Sequence, residues 1–360
     1  MSAHEILIAL MAVFAVLGAL DRILGNRIGL GAEFESGIQA MGALALAMVG
    51  IICLAPVLAA VLKPVIVPVF GFLGADPAMF AGTILACDMG GGALAVELSA
   101  DPEAAMLGGV ISGSMLGATL VFTIPAAMGI LRQEDQGAMA KGILCGIVTI
   151  PVGILAGGLV AGYPIGKVAR NLLPIVLIAV LIALGLWKAE RGMIRGFVVF
   201  GKGIIILITL GLAAAIVEAL TGFAVIPGMA PIGEGFQTVG AIAIVLAGAF
   251  PLVYAVTKLF RKPLMKLGSL LGINDVAAAG LVATLANSIA TLGMVKDMDR
   301  RGKVVNIAFA VSAAFVFGDH LGFTAGFAPE LLPAMILGKL AGGLAAVGVA
   351  LWLDKKDNRA

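Results

Sequence analysis

Three places in this sequence set polar or ionisable side chains among small residues inside apolar runs. The first is Ala86-Cys87-Asp88-Met89-Gly90-Gly91-Gly92, a carboxylate followed closely by three glycines. A charge inside a bilayer costs about 2.5–3.5 kcal/mol even on lenient scales, so Asp88 is a candidate partner for a cation. The second is Asn287-Ser288, flanked by Thr284 and Thr291; a neutral amide and hydroxyl suit a hydroxyl or amine donor. The third is Phe317-Gly318-Asp319-His320-Leu321-Gly322. An acid beside an imidazole can bind a cation or relay a proton, and with no nucleophile partner it is no hydrolytic triad. Gln39, Gln237 and Glu97 are further candidates for a binding site. Each has a blander reading. Asp88 can cap a returning half-helix, Asn287 and Ser288 can join helices, Asp319 and His320 can be a packing pair, and Glu97 can lie at the interface.

The elements that carry these residues follow from composition. The chain is 61% hydrophobic and only 12% charged, with 50 glycines in 360 residues; a soluble domain carries about 25% charge. Disorder, coiled coil and a secreted disulfide module are excluded, leaving an all-α polytopic membrane protein whose small residues let helices pack closely. The net charge of +2 gives no basic stripe for nucleic acid. Cys53, Cys87 and Cys145 make no disulfide framework or metal cluster, and two histidines make no multi-histidine centre. No metal or other cofactor is expected. Gly196-Phe-Val-Val-Phe-Gly201-Lys202 mimics a Walker A loop, but Gly203 replaces the Ser/Thr and no strand precedes it.

Nine apolar stretches predict spans near residues 4–22, 37–62, 104–130, 141–162, 171–187, 203–222, 236–257, 304–325 and 333–352. Two segments, 64–99 and 263–297, are interrupted by prolines, glycines and the polar Asp88 or Asn287. An internal repeat relates them. Gln39, Gly42, Gly50, Gly74, Asp76 and Gly82 match Gln237, Gly240, Gly248, Gly272, Asn274 and Gly280 at an offset of 198, while Lys63-Pro64 and Asp88 match Lys262-Pro263 and Asn287 at 199. If both interrupted segments crossed the membrane, the 23 Lys and Arg would divide 11 to 12. If both are re-entrant hairpins, they divide 19 to 4, with Lys63, Lys167, Arg170 and Lys339 on the outer side. Positive charge gathers on the cytoplasmic side, so the second arrangement is expected, with the N-terminus periplasmic and the C-terminus cytoplasmic.

The expected organisation is a repeat unit over 1–162 with its hairpin at 64–99, a linker span over 163–191, an inverted second unit over 192–353 with its hairpin at 263–297, and a cytoplasmic tail at 354–360. Inverted repeats with broken elements at matching places point to a secondary transporter with a midplane site.

The runs Met41–Gly50, Leu54-Ala-Pro-Val-Leu58 and Met79-Phe-Ala-Gly-Thr-Ile-Leu-Ala-Cys-Asp-Met-Gly-Gly91, with Gly318-Asp-His-Leu-Gly-Phe323, resemble the ethanolamine utilisation transporter (EutH) family over essentially the whole chain. The resemblance implies a bacterial inner-membrane permease for ethanolamine, with family motif residues at Asp88, Asp319 and His320. Ethanolamine is a small ammonium bearing a hydroxyl. Asp88 or Asp319 would supply a carboxylate, Phe317, Phe323 or Phe122 an apolar or cation–π wall, and Asn287, Ser288 or Gln39 a hydroxyl partner. The expected mechanism is alternating access, not enzymatic catalysis. The partners expected are ethanolamine, membrane lipid and, as a possibility, further copies of the chain. A passive channel for ethanolamine or ammonia, a carrier of another small polar solute and an integral-membrane head-group transferase are the rival classes.

Overall fold

The computed structural model describes residues 2–357, apart from the side chains of residues 260–262, 264, 265, 267–269, 356 and 357. Part of the tail expected at 354–360 therefore lies outside the described residues. Every described regular element is a helix. In chain order α1 (Ala3–Ile23) and α2 (Leu30–Phe72) lead into two short helices, α3 (Ala78–Ile84) and α4 (Gly91–Leu98). The run Pro102–Ile130 is helical throughout, from α5 (Pro102–Met106) through two π-helical stretches, Leu107–Gly117 and Thr119–Thr123, to α6 (Ile124–Ile130). Then come α7 (Gln136–Ile147), α8 (Ile150–Val160) and α9 (Ile165–Thr221). The second half holds α10 (Ile232–Leu271), α11 (Asp275–Ala286), α12 (Ser288–Met294), α13 (Arg300–Ala313), α14 (Asp319–Phe327) and α15 (Leu332–Asp357).

Seven helical segments are long and apolar enough to cross a membrane. One of these segments covers two of the nine expected spans, and the eighth expected span is not among the seven. The 57-residue α9 leaves helical geometry at Ala189, and a Cβ on Gly185 would strike the Met193 side chain, so the chain bends sharply there and α9 holds the fifth and sixth expected spans. The eighth, 304–325, is broken into α13 and α14 around residues 314–318. Large apolar side chains such as Val13, Val16, Leu20, Leu181, Ile206 and Leu210 face outward, as lipid contact demands.

The interrupted segments are shorter than expected. Helix α2 runs straight through Pro64 and Pro68, and α10 through Pro263. At 1.5 Å per residue α2 is about 60 Å long, twice the hydrocarbon thickness. Past it, α3 and α4 form a helix–break–helix unit that folds back on itself, since Ser99 Oγ donates to Asp76 Oδ2 at 2.9 Å. The second unit does the same. Asn274 N donates to Asp299 Oδ1 at 2.8 Å and Asn274 Nδ2 to the Asp297 carbonyl at 3.0 Å. Asp76 and Asn274 are repeat partners at the offset of 198, and so are Asp101 and Asp299, which cap the N-termini of α5 and α13.

The two bases are tied down by different partners. Near the first, Asn171 Oδ1 accepts from Asp76 N at 2.7 Å, and Lys167 bridges Asp101 and Glu103 at 2.9 and 2.6 Å. Near the second, Lys303 pairs with Asp135 and Arg301 with Asp354. The hydrogen bond from Lys167, with capping bonds from backbone amides, holds the Asp101 carboxyl below the usual carboxylate range. A depressed folded pKa contributes stability above the unfolded value and loses it as pH falls through the folded one. The melting temperature of the wild-type protein in detergent should therefore exceed that of Asp101→Asn near neutral pH, and the gap should close below about pH 4. A gap that persists undiminished at pH 3 would contradict this.

Glycines set the packing. A Cβ on Gly37 would strike Ala247 and Leu246 backbone, and one on Gly235 would strike Val49. Both residues of the first contact recur in the second at the offset of 198, and the order of the contacts makes α2 and α10 antiparallel. Helices α8 and α15 repeat the pattern at an offset of 185, with Gly153 against Gly342 and Gly157 against Gly338.

Candidate functional site

Asp88 sits at the turn between α3 and α4. Leu85 and Ala86 are extended, which ends α3, and the Ala86 carbonyl accepts from both Met89 N and Gly91 N, which tightens the turn. Gly90 has φ +89° and its missing Cβ points into Ile51, so both conformation and space require glycine. The turn leans on the π-helical stretch, where a Cβ at Gly117 would collide with the Leu85 carbonyl. π-Helical turns are common at functional sites.

The second turn, at Asn287, has another role. Its Oδ1 accepts from Ile289 N at 2.8 Å, so Asn287 caps α12, and Thr284 Oγ1 donates to Thr291 Oγ1 at 2.8 Å across the two arms. Beside it runs the unwound stretch 314–318. Phe315 N donates to the Thr284 carbonyl at 3.2 Å and Phe317 N to the Leu285 carbonyl at 2.8 Å, which occupies carbonyls freed by the break. Phe315 has φ +61°. A bulky non-glycine residue in that region is strained, and such strain gathers at functional sites.

The unwound stretch delivers Asp319 and His320 to the first turn. His320 Nε2 lies 3.7 Å from Asp88 Oδ1. That separation is longer than a hydrogen bond. His320 Nδ1 is buried with no hydrogen-bond partner among the described residues. The Phe315 ring lies 5.5 Å from the imidazole and 5.4 Å, edge-on, from Phe122. These groups line a cavity of about 500 Å³ whose other walls are chiefly Ala and Leu of α2 and Ile205, Ile208 and Thr209 of α9. A water occupies about 30 Å³, so a small solute would share the space with water.

The structure thus brings together Asp88, Asp319, His320 and Phe122. The other candidates lie elsewhere. Asn287 and Ser288 belong to the second turn, where Asn287 is exposed and the hydroxyl of Ser288 is buried without a hydrogen-bond partner among the described residues. Gln39 and Gln237 are exposed, and Gln39 Nε2 donates to Glu35 at 3.0 Å. Glu97 is exposed on α4. Phe317 lines a separate groove with Glu33 and Tyr254, and Phe323 is buried against Phe327 at 4.9 Å.

Lys339 is the residue that sequence reasoning misplaced. Assigned by its position to the outer charges, it is 1% exposed inside α15 and donates to the Ser114 carbonyl of the π-helical stretch. Its ammonium end lies within electrostatic reach of Cys87, Asp88 and His320. The signal available was a lone lysine in the apolar run 333–352 between Gly338 and Gly342. Donor atoms of Cys87, Asp88 and His320 lie within 4.8 Å of one another, a spacing a metal ion could bridge. The Lys339 ammonium already supplies positive charge to that corner, so the arrangement suits a monovalent cation entering from the cavity better than a metal ion.

The family model for "Ethanolamine utilisation protein, EutH" matches residues 3–353. A Listeria monocytogenes protein named probable ethanolamine permease EutH is 61% identical over 99% of this chain and 95% of its own length. A Salmonella typhimurium protein of the same name is 50% identical over 100% and 98%. An uncharacterised Bacillus subtilis protein, YxeR, is 51% identical over 98% and 95%. No solved structure matches the chain significantly.

Proposed function

The chain belongs to the EutH family, and on that premise we propose that it carries ethanolamine, as the ammonium ion, inward across a bacterial inner membrane. The observation that carries this reading is the Asp88 carboxylate, which lines the cavity at a helix break with the His320 imidazole 3.7 Å away. An ammonium leaving water needs such a carboxylate, and aromatic faces add to it; Phe122 and Phe315 stand at the same wall. Asp319 is the second carboxylate of the site, and Thr209 is the hydroxyl best placed to meet the substrate hydroxyl.

The proposed architecture is nine spans and two re-entrant hairpins in inverted repeats, with α3–α4 and α11–α12 as the hairpins. Its support is the return of each hairpin to its own base, the reciprocal antiparallel contacts of α2 with α10 and α8 with α15, and the repeat partners at both bases. Substrate would reach the turn of α3–α4 from each side in alternation. In this orientation the N-terminus and the Asp76–Ser99 base are periplasmic, and the Asn274–Asp299 base is cytoplasmic. Single cysteines at Ser99 and Asp297 should then label with membrane-impermeant maleimide from opposite faces; labelling of both from one face would refute the arrangement. Uptake into proteoliposomes should saturate and show counterflow. Flux that rises linearly with concentration would instead favour the channel.

A further inference from the structure

The ionisable groups at the end of the cavity do not balance. Two carboxylates, Asp88 and Asp319, line it together. One ammonium, Lys339, stands behind them, held by the Ser114 carbonyl. The imidazole of His320 is counted as uncharged, because charging it would make both ring nitrogens donors while buried Nδ1 has no acceptor among the described residues. Cys87, fully buried, is counted as a thiol. With both carboxylates ionised, one negative charge remains uncompensated. Uncompensated charges withdrawn from bulk water are disfavoured, and a carrier has to turn between its two states both with and without substrate.

We propose that this cluster holds one exchangeable proton when empty and gives it up for one ammonium substrate, so that the carrier exchanges ethanolammonium for a proton without moving net charge. This rests on the reading of the cavity as an ethanolammonium site. On binding, the O–H bond of the protonated carboxyl breaks, its proton passes to cavity water on the side from which the substrate came, and the carboxylate pairs with the substrate ammonium. On release at the other side, the carboxylate takes a proton from water there. Lys339 keeps its own proton throughout and balances the second carboxylate, which makes the exchange one for one.

Calorimetric titration of the purified full-length protein with ethanolamine, in buffers of different ionisation enthalpy near neutral pH, counts the protons. The wild type should release about one proton per ethanolamine bound. Asp319→Asn leaves one carboxylate facing one ammonium and should release none. No release from the wild type would overturn the exchange. Release of one proton by both proteins would overturn it too, because that is the signature of a site taking the neutral amine. Absence of any ethanolamine binding would remove the substrate reading and the exchange with it. Wild-type proteoliposomes give a test independent of the variant. A clamped potential of about 100 mV, interior negative, should change steady-state accumulation less than about twofold, whereas movement of one net charge would raise it about 50-fold. Accumulation that follows the potential would refute the exchange.

Discussion

Asp88→Asn should lower ethanolamine uptake by roughly 100-fold while the protein still folds and inserts. Truncating one member of a desolvated charge pair costs about 2–5 kcal/mol, and about 3 kcal/mol is a little over two decades in affinity. The amide keeps the volume of the carboxylate, so the turn between α3 and α4, set by Ala86 and Gly90 through the backbone, should survive. Uptake of radiolabelled ethanolamine into proteoliposomes at several substrate concentrations is the measurement, with elution profile and melting temperature as controls on folding. Uptake within about twofold of wild type would take Asp88 out of the site.

The second large effect concerns stability. Gly82→Ala should cost about 3 kcal/mol, at the upper end of overpacking penalties, because the added methyl meets the Gly108 carbonyl and the Gly113 amide, backbone atoms of the π-helical stretch that cannot rotate away. Its repeat partner Gly280 has Asn306, the partner of Gly108, in the same position. Because that neighbour is a side chain, Gly280→Ala should cost less. Gly203→Ala, where no atom of another described element lies within 4 Å of the added methyl, should be neutral or stabilising by about 0.5–1 kcal/mol through helix propensity. Thermal unfolding in detergent, followed by loss of monodispersity, ranks the three. Equal melting temperatures for Gly82→Ala and Gly203→Ala would contradict the close approach of α3 to the π-helical stretch.

Composition was enough to read an all-helical chain with many apolar spans, since no soluble surface can be made with so few charges. The offset of 198 was informative beyond its length. It paired Asp76 with Asn274 and Gly82 with Gly280, and the first pair closes the base of each returning segment while the second seats each descending arm. Segment boundaries were legible only in part. Pro64, Pro68 and Pro263 read as breaks, yet α2 and α10 continue through them, as long apolar helices can when neighbours satisfy the freed carbonyls. Repetition also says nothing about which face of a helix a residue occupies. Gln39 recurs as Gln237 but points outward, while Ala40, Ala43, Leu44 and Ala47 line the cavity about a quarter-turn away. Lys339 was misread because a charge tally assumes that lysines in apolar runs reach the interface. Only the packing of α15 against α8 and the π-helical stretch places it inside.

A structure of the protein with ethanolamine bound tests the account most directly. The ammonium nitrogen should lie about 2.7–2.9 Å from an Asp88 carboxylate oxygen, inside the cavity walled by Phe122 and Phe315. Ethanolamine held in the groove beside Glu33 and Tyr254, with the Asp88 cavity empty at saturating concentration, would contradict it.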